Sequence, residues 1–228
     1  MSTPFRAVNG ITNVPSSNFM GQALGLDPTL THRYFNHFDT YAAADWTITD
    51  TGVNTRVCTD ADGGALLITN AAADNDVSNM QLVGESFTFE SGKKLWVKYR
   101  ITLNDDDQND CLVGLSVLDT SLIASAPSDG IYFRKDDGDD DWDFTIRASS
   151  ASVIEVSNFG TATTSAVVLG YYFDGVDTFE YWFNGVKIGE STTTAFPTTA
   201  LSVSMAIQNG EAVAKTLTWD YVLAEKEA

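Results

Sequence analysis

The stretch LWVKYRITL (95–103) puts Leu95, Val97, Tyr99, Ile101 and Leu103 on one side of an extended chain and Trp96, Lys98, Arg100 and Thr102 on the other. Side chains change faces at every residue of a strand, so this run buries one face and hydrates the other; a helix would scatter the same apolar residues around its circumference. The period of two returns in LSVSMAIQ (201–208), with Leu201, Val203, Met205 and Ile207 inward. It returns again in TLTWDYVL (216–223), where alternation turns Leu217, Trp219, Tyr221 and Leu223 inward. Shorter runs, ALLITN, CLVGLSVL, GIYFRK, WDFTIRA and SVIEVSN, repeat the pattern between clusters of Gly, Asp, Asn and Ser. Half-buried strands of this kind belong to antiparallel sheets. With on the order of 12 strands and almost no helical periodicity, the chain predicts an all-β fold of two packed antiparallel sheets.

YYFDGVDTFEYWFNGVKIGE (171–190) shows how the strands are joined. Asp174-Gly175 suits a tight turn, and Asn184-Gly185 is a pair that tolerates two positive φ values in a type I′ hairpin. Strand, turn, strand, hairpin turn and strand follow in order. Asp174, Asp177 and Glu180 are three apart, a spacing that changes faces along a strand. Two acids then flank a turn, and Glu180 faces away from Phe179 and Tyr181.

The first 45 residues differ in kind. VNGITNVPSSNFMGQALGLDP combines turn formers with scattered apolar residues and sustains no period. The expected organisation is an N-terminal arm over 1–45 and a sandwich over 46–228, with one short helical turn starting at Asp27-Pro28. Such an arm either wraps its own domain or orders on a neighbouring subunit. Phe5, Val8, Ile11, Val14, Phe19 and Met20, with Arg6 as a polar partner, are the candidate anchors.

Thirteen Lys and Arg against 31 Asp and Glu give a formal charge of −18, which disfavours nucleic acid and anionic membranes as partners. MSTPFRAVNGITNVP has no basic segment followed by an apolar run, so synthesis without secretory export is the expectation. Cys58 and Cys111 both lie in strand-like runs, as two buried thiols or a single bridge.

Catalytic signatures are sparse. Glycosidases set two carboxyl groups across the sugar, and one strand offers a shared face only at alternate residues, about 6.8 Å apart. Glu180 has Trp182 as its same-face neighbour. His32 and His37 are the only histidines, and no nucleophile elbow accompanies them. The expectation is a chain without catalytic residues, cofactor or enzymatic activity. Calcium is the remaining ion to weigh, because NDDDQND (104–110) and KDDGDDDWD (135–143) are dense in hard oxygen ligands. Counted from Asp105, the Gly and Glu positions of an EF-hand hold Asp110 and Ser116; counted from Asp137, they hold Trp142 and Ala148. Solvated hairpin tips are the plainer reading, and a non-helical calcium loop would use Asp105, Asp107, Asp137, Asp139 and Asp141.

LGYYFDGVDTFEYWFNGVKIGES, followed by TLTWDYVLAEK, resembles the late strands of concanavalin A-like, laminin-G-like sandwiches. That resemblance implies a jelly roll of two large sheets. The Glu-x-Asp-x-x-Glu strand of its glucanase members is absent here. Taken together with GITNVP, LDPTLTHRYFNHFDTYAAADWT and the long segment from Ser91 to Phe144, the chain also resembles bacteriophage virion proteins that decorate or cement capsids. This implies binding to a major capsid protein lattice on the outer capsid surface, as a homo-oligomer, a trimer by first expectation, made in the bacterial host cytoplasm. The alternative is a glycan-binding, lectin-like module, either free or as a virion adhesin for host glycans, with exposed aromatic rings on a sheet face.

Overall fold

A computed structural model describes residues 31–228. The chain forms β1 (Thr31–Asn36), β2 (Trp46–Thr51), β3 (Thr55–Cys58), β4 (Leu66–Thr69), β5 (Val77–Leu82), β6 (Leu95–Leu103), β7 (Asn109–Ser116) and β8 (Gly130–Lys135). It continues through β9 (Asp141–Ala148), β10 (Ala151–Thr161), β11 (Val167–Phe173), β12 (Thr178–Phe183), β13 (Val186–Thr192), β14 (Ser202–Asn209) and β15 (Thr216–Glu227). One 3-10 turn, Ala43–Asp45, precedes β2. The strands build two sheets. The first runs β13-β12-β11-β6-β15-β4-β3 with β1 also on β15, and the second runs β10-β9-β8-β7-β14-β5-β2. Every pairing is antiparallel. The all-β, two-sheet sandwich expected from the alternation is the fold observed.

The inward rows meet as a single aromatic core. Tyr171 of β11 lies 6.0 Å from Phe133 and 5.8 Å from Phe144, both across the sandwich, and Phe144 stacks on Tyr181 at 5.2 Å. Each such ring is buried, and burying one large apolar side chain stabilises by roughly 1.5–3 kcal/mol. Tyr99 keeps its hydroxyl satisfied by donating to Gly114 O of the opposite sheet, 2.6 Å away. The late hairpins form as read: Asn184 and Gly185 take φ of 49° and 79°, and Asp174 Oδ1 accepts the N–H groups of Val176, Asp177 and Thr178.

Two expectations need correction. Within the stretch read as an arm, residues 31–38 already belong to the sandwich, since β1 pairs with β15 from Thr31↔Glu227 to Asn36↔Val222, and Phe38 is fully buried 4.9 Å from Trp219. The segment hid its strand because His32, Arg33 and Phe35 are exposed, which blurs the alternation. Strict alternation also fails in β15: the register shifts between Trp219 and Tyr221, so Val222 and Ala224 enter the core while Tyr221 and Leu223 turn outward. A β-bulge of this kind adds one residue and reverses the faces beyond it. The anchors Phe5, Arg6, Val8, Ile11, Val14, Phe19 and Met20, and the turn at Asp27-Pro28, lie outside the described residues.

Candidate functional site

Opposite the core, the outer face of the second sheet carries two kinds of chemistry. Toward β2, β5 and β14 its residues are hydroxyls and amides. Toward β8, β9 and β10 they are charged.

Between the halves lies the connection from β7 to β8. Val117 N donates to Asp129 O at 3.0 Å, which brings the ends of 117–129 together as an Ω-loop packed by its own side chains. Leu122 and Ile123 of this loop are buried on the sheet against Leu112, Tyr132, Ala206 and Val77, forming a small second core. Polar bonds fix its near end. Gln81 donates to Val117 O (2.9 Å) and accepts from Asp119 N (2.8 Å), and Asn79 Nδ2 donates to Thr120 O (3.1 Å). Under the loop, Gln81 Nε2 also donates to Ser116 Oγ and Ser204 Oγ, and all three side chains are buried. Gly114 admits the close approach of the β8 backbone, because a Cβ there would stand 2.4 Å from Ile131 O and Tyr132 Cα.

One flank of this loop walls a cleft of about 320 Å³. Its polar lining is Thr51, Asn75, Asn79, Thr120, Ser121 and Gln208, and Val77, Ile123 and Ala124 supply the apolar part. None of these residues is ionisable. Asn79 is 3% exposed, and its Oδ1 has no hydrogen-bond partner. An unpaired buried acceptor costs about 1–3 kcal/mol unless a partner arrives.

The charged half has a different character. Arg134 is ion-paired with Asp136, and Arg147 donates to Ser150 O. Asp143 accepts Asn158 N, and Asp110 accepts Asp137 N. Burial, reinforced by neighbouring carboxylates, raises both the Asp110 and Asp143 carboxyls above the usual range. A carboxyl held up in this way can donate a proton nearer neutral pH.

At the acidic end of the sandwich the loops are held by internal cations. Lys135, 1% exposed, donates to Asp107 O, Asn109 O and Asp136 O at 2.9, 2.9 and 3.2 Å. Lys215, equally buried, reaches Asp105 at 2.5 Å and Glu211 at 2.6 Å. Burial alone would raise the Asp105 carboxyl, but the Lys215 ammonium and the N–H groups of Asp107 and Gln108 pull it down to about 2. Of the five aspartates named for calcium, Asp139 and Asp141 come together, with Asp140, to within 4.8 Å between carboxylate oxygens. Asp105 is engaged by Lys215, Asp107 accepts Gln108 Nε2, and Asp137 lies beside Gly210. Through one oxygen each, three carboxylates would fill three of the six to eight positions that calcium takes, leaving the rest to backbone carbonyls or water.

The remaining features resolve into packing. Trp46, Trp142 and Trp219 are core residues, and Trp182 is 7% exposed. The second sheet's outer face carries no exposed aromatic platform among the described residues, Tyr132 being buried under the loop. Glu180 faces outward in an ion pair with Lys187. His32 packs on Phe87 and His37 between Phe35 and Tyr221. Cys58 and Cys111 are both free thiols.

No protein-family model and no curated protein matches the sequence. Solved structures do match in shape. An endo-1,3-β-glucanase from Streptomyces sioyaensis superposes with a TM-score of 0.64 at 12% identity, over 90% of this chain and 99% of that one. A protein of unknown function from Shewanella oneidensis MR-1 gives 0.62 at 14% identity over 96% of each chain. The carbohydrate recognition domain of Emp47p gives 0.60 at 10% identity, over 88% and 98%. The fold is therefore a concanavalin A-like sandwich.

These matches correct the expectation of a chain without enzymatic activity. Besides the glucanase, an endo-β-1,4-glucuronan lyase from Trichoderma reesei and a glycosidic hydrolase share the fold. The missing Glu-x-Asp-x-x-Glu strand excludes one arrangement of carboxylates; Asp110 and Asp143 close the two acid-rich stretches weighed for calcium and sit on separate strands, β7 and β9.

Proposed function

We propose that the protein is a glycan-recognition module that binds its ligand on the outer face of the second sheet. The observation that carries this reading is the hydroxyl- and amide-lined cleft beside the Ω-loop. Hydroxyls and amides both donate and accept, which matches the dense hydroxyl pattern of a sugar. Structural similarity to carbohydrate recognition domains and carbohydrate-cleaving enzymes supports the same class of ligand. Retention of the full chain on a panel of immobilised polysaccharides tests it: selective retention is expected, and retention on none rejects the reading. Release of shortened products from a retained polysaccharide would add cleavage to recognition, with Asp110→Asn and Asp143→Asn as the variants to compare.

The sequence resemblance to capsid-decorating proteins supports a second setting for the same sandwich. There the major capsid protein is the partner, a homo-oligomer on the outer surface is the assembly, and Phe5, Arg6, Val8, Ile11, Val14, Phe19 and Met20 carry the contacts. Many weak contacts on a symmetric lattice sum through avidity. Deleting residues 2–30 should leave a folded sandwich that no longer joins capsids; normal incorporation would remove this assignment.

A further inference from the structure

The Ω-loop does more than wall the cleft. Through Leu122 and Ile123 it sits across β5, β14, β7 and β8, so the neutral half of the sheet face is cut off from the charged half. A polymer lying across all seven strands would have to displace a buried apolar cluster. The cleft on the β2 side is thus closed at one end, and a glycan can enter it only from the open side.

Charge narrows the occupant further. No Lys, Arg, Asp or Glu lines the cleft, in a chain of net charge −18. An anionic sugar would find no cation there and would approach through a negative field, which raises the cost of bringing it in. Gln208 Nε2 is already committed to Asn75 Oδ1 at 2.8 Å, and Asn79 Nδ2 to Thr120 O. Asn79 Oδ1 is left as a buried acceptor seeking a donor, with Val77 and Ile123 as the apolar bed for the ring face.

We propose that this cleft receives one uncharged, hexose-like unit at the end of a glycan, with Asn79 accepting from a sugar hydroxyl and the Ω-loop acting as the stop that prevents passage of an internal unit. The proposal rests on the glycan-recognition reading and names its ligand and its mode of entry. Isothermal titration of the full chain with methyl hexosides, the matching uronic acids, and oligosaccharides of increasing length tests it. Two variants accompany the wild type. Ala124→Trp fills the cleft from an exposed position on the loop, so folding is preserved, and Asn79→Ala removes the acceptor.

A neutral hexoside should bind, the uronic acid should bind at least tenfold more weakly, and affinity should not rise beyond the first one or two units. Both variants should weaken binding by tenfold or more. Equal affinity for the uronic acid, a steady gain with chain length, or unchanged binding by Ala124→Trp would overturn the proposal while leaving recognition elsewhere on the sheet intact. Binding of no sugar in the panel would overturn both.

Discussion

The acidic end and the neutral cleft are both built from loops on the second sheet, yet they answer differently to the question of what is missing. At the acidic end the chain supplies its own counter-charges: Lys135 is enclosed by three carbonyl oxygens, and Lys215 by two carboxylates. In the cleft a buried amide oxygen is left without a donor. Density of charge does not by itself mark an open group: the acid-rich loops are largely satisfied from within, with Asn109 Oδ1 left over there, whereas Asn79 Oδ1 is left over at the wall of a cleft.

The largest test of that contrast is Lys135→Met. It removes the donor from three carbonyls at once and should cost about 3 kcal/mol of stability in urea unfolding, since breaking a buried charged hydrogen-bond group is among the most damaging changes. An unchanged midpoint would mean the acidic end does not depend on its internal cation. Leu122→Ala comes next. Its side chain is fully buried in the small loop cluster, and losing it should cost about 2 kcal/mol, with increased hydrogen exchange confined to 117–129. Global loosening instead would show that the loop and the sandwich are one cooperative unit.

The smallest effect is expected from Asp105→Asn, and it carries a sign. Because the folded carboxyl lies below its ordinary value, its stabilisation is fully present above about pH 4 and is lost as pH falls toward 2. The variant should be less stable than wild type by roughly 1 kcal/mol at pH 7. The two should converge near pH 2. A constant gap across that range would detach the effect from the Lys215 pair.

The same contrast explains what was legible beforehand. β6 and β12 announce themselves because one face is apolar and the other carries polar groups, and β14 does so through its apolar row Val203, Met205 and Ile207. β5 does not: in VSNMQL, Asn79 and Gln81 are as buried as Met80 because the Ω-loop covers the outward side, and Ser78 puts a hydroxyl on the inward side beside Met80. β2 reads WTITDT, and its exposed threonines carry no apolar contrast. Of the strands that line the cleft, β5 was thus hidden by burial of its polar groups and β2 by exposure of its threonines. The Asp-rich loops drew attention instead, because sequence displays a carboxylate but not the lysine folded beneath it. Lys135 is simply the last residue of GIYFRK until the fold brings three carbonyls around it.

The pairing of β1 with β15 has a mechanical meaning. Thr31 stands opposite Glu227, and the two strands run antiparallel. Tension applied between residue 31 and residue 228 loads one rung of the ladder at a time, so β1 opens like a zipper and does not resist as a sheared strand would. β6, paired along most of β15 from the other side, bears no such load until β1 has gone. A pull from the N-terminal side would peel away one edge strand at low force and leave the cleft on the opposite sheet undisturbed.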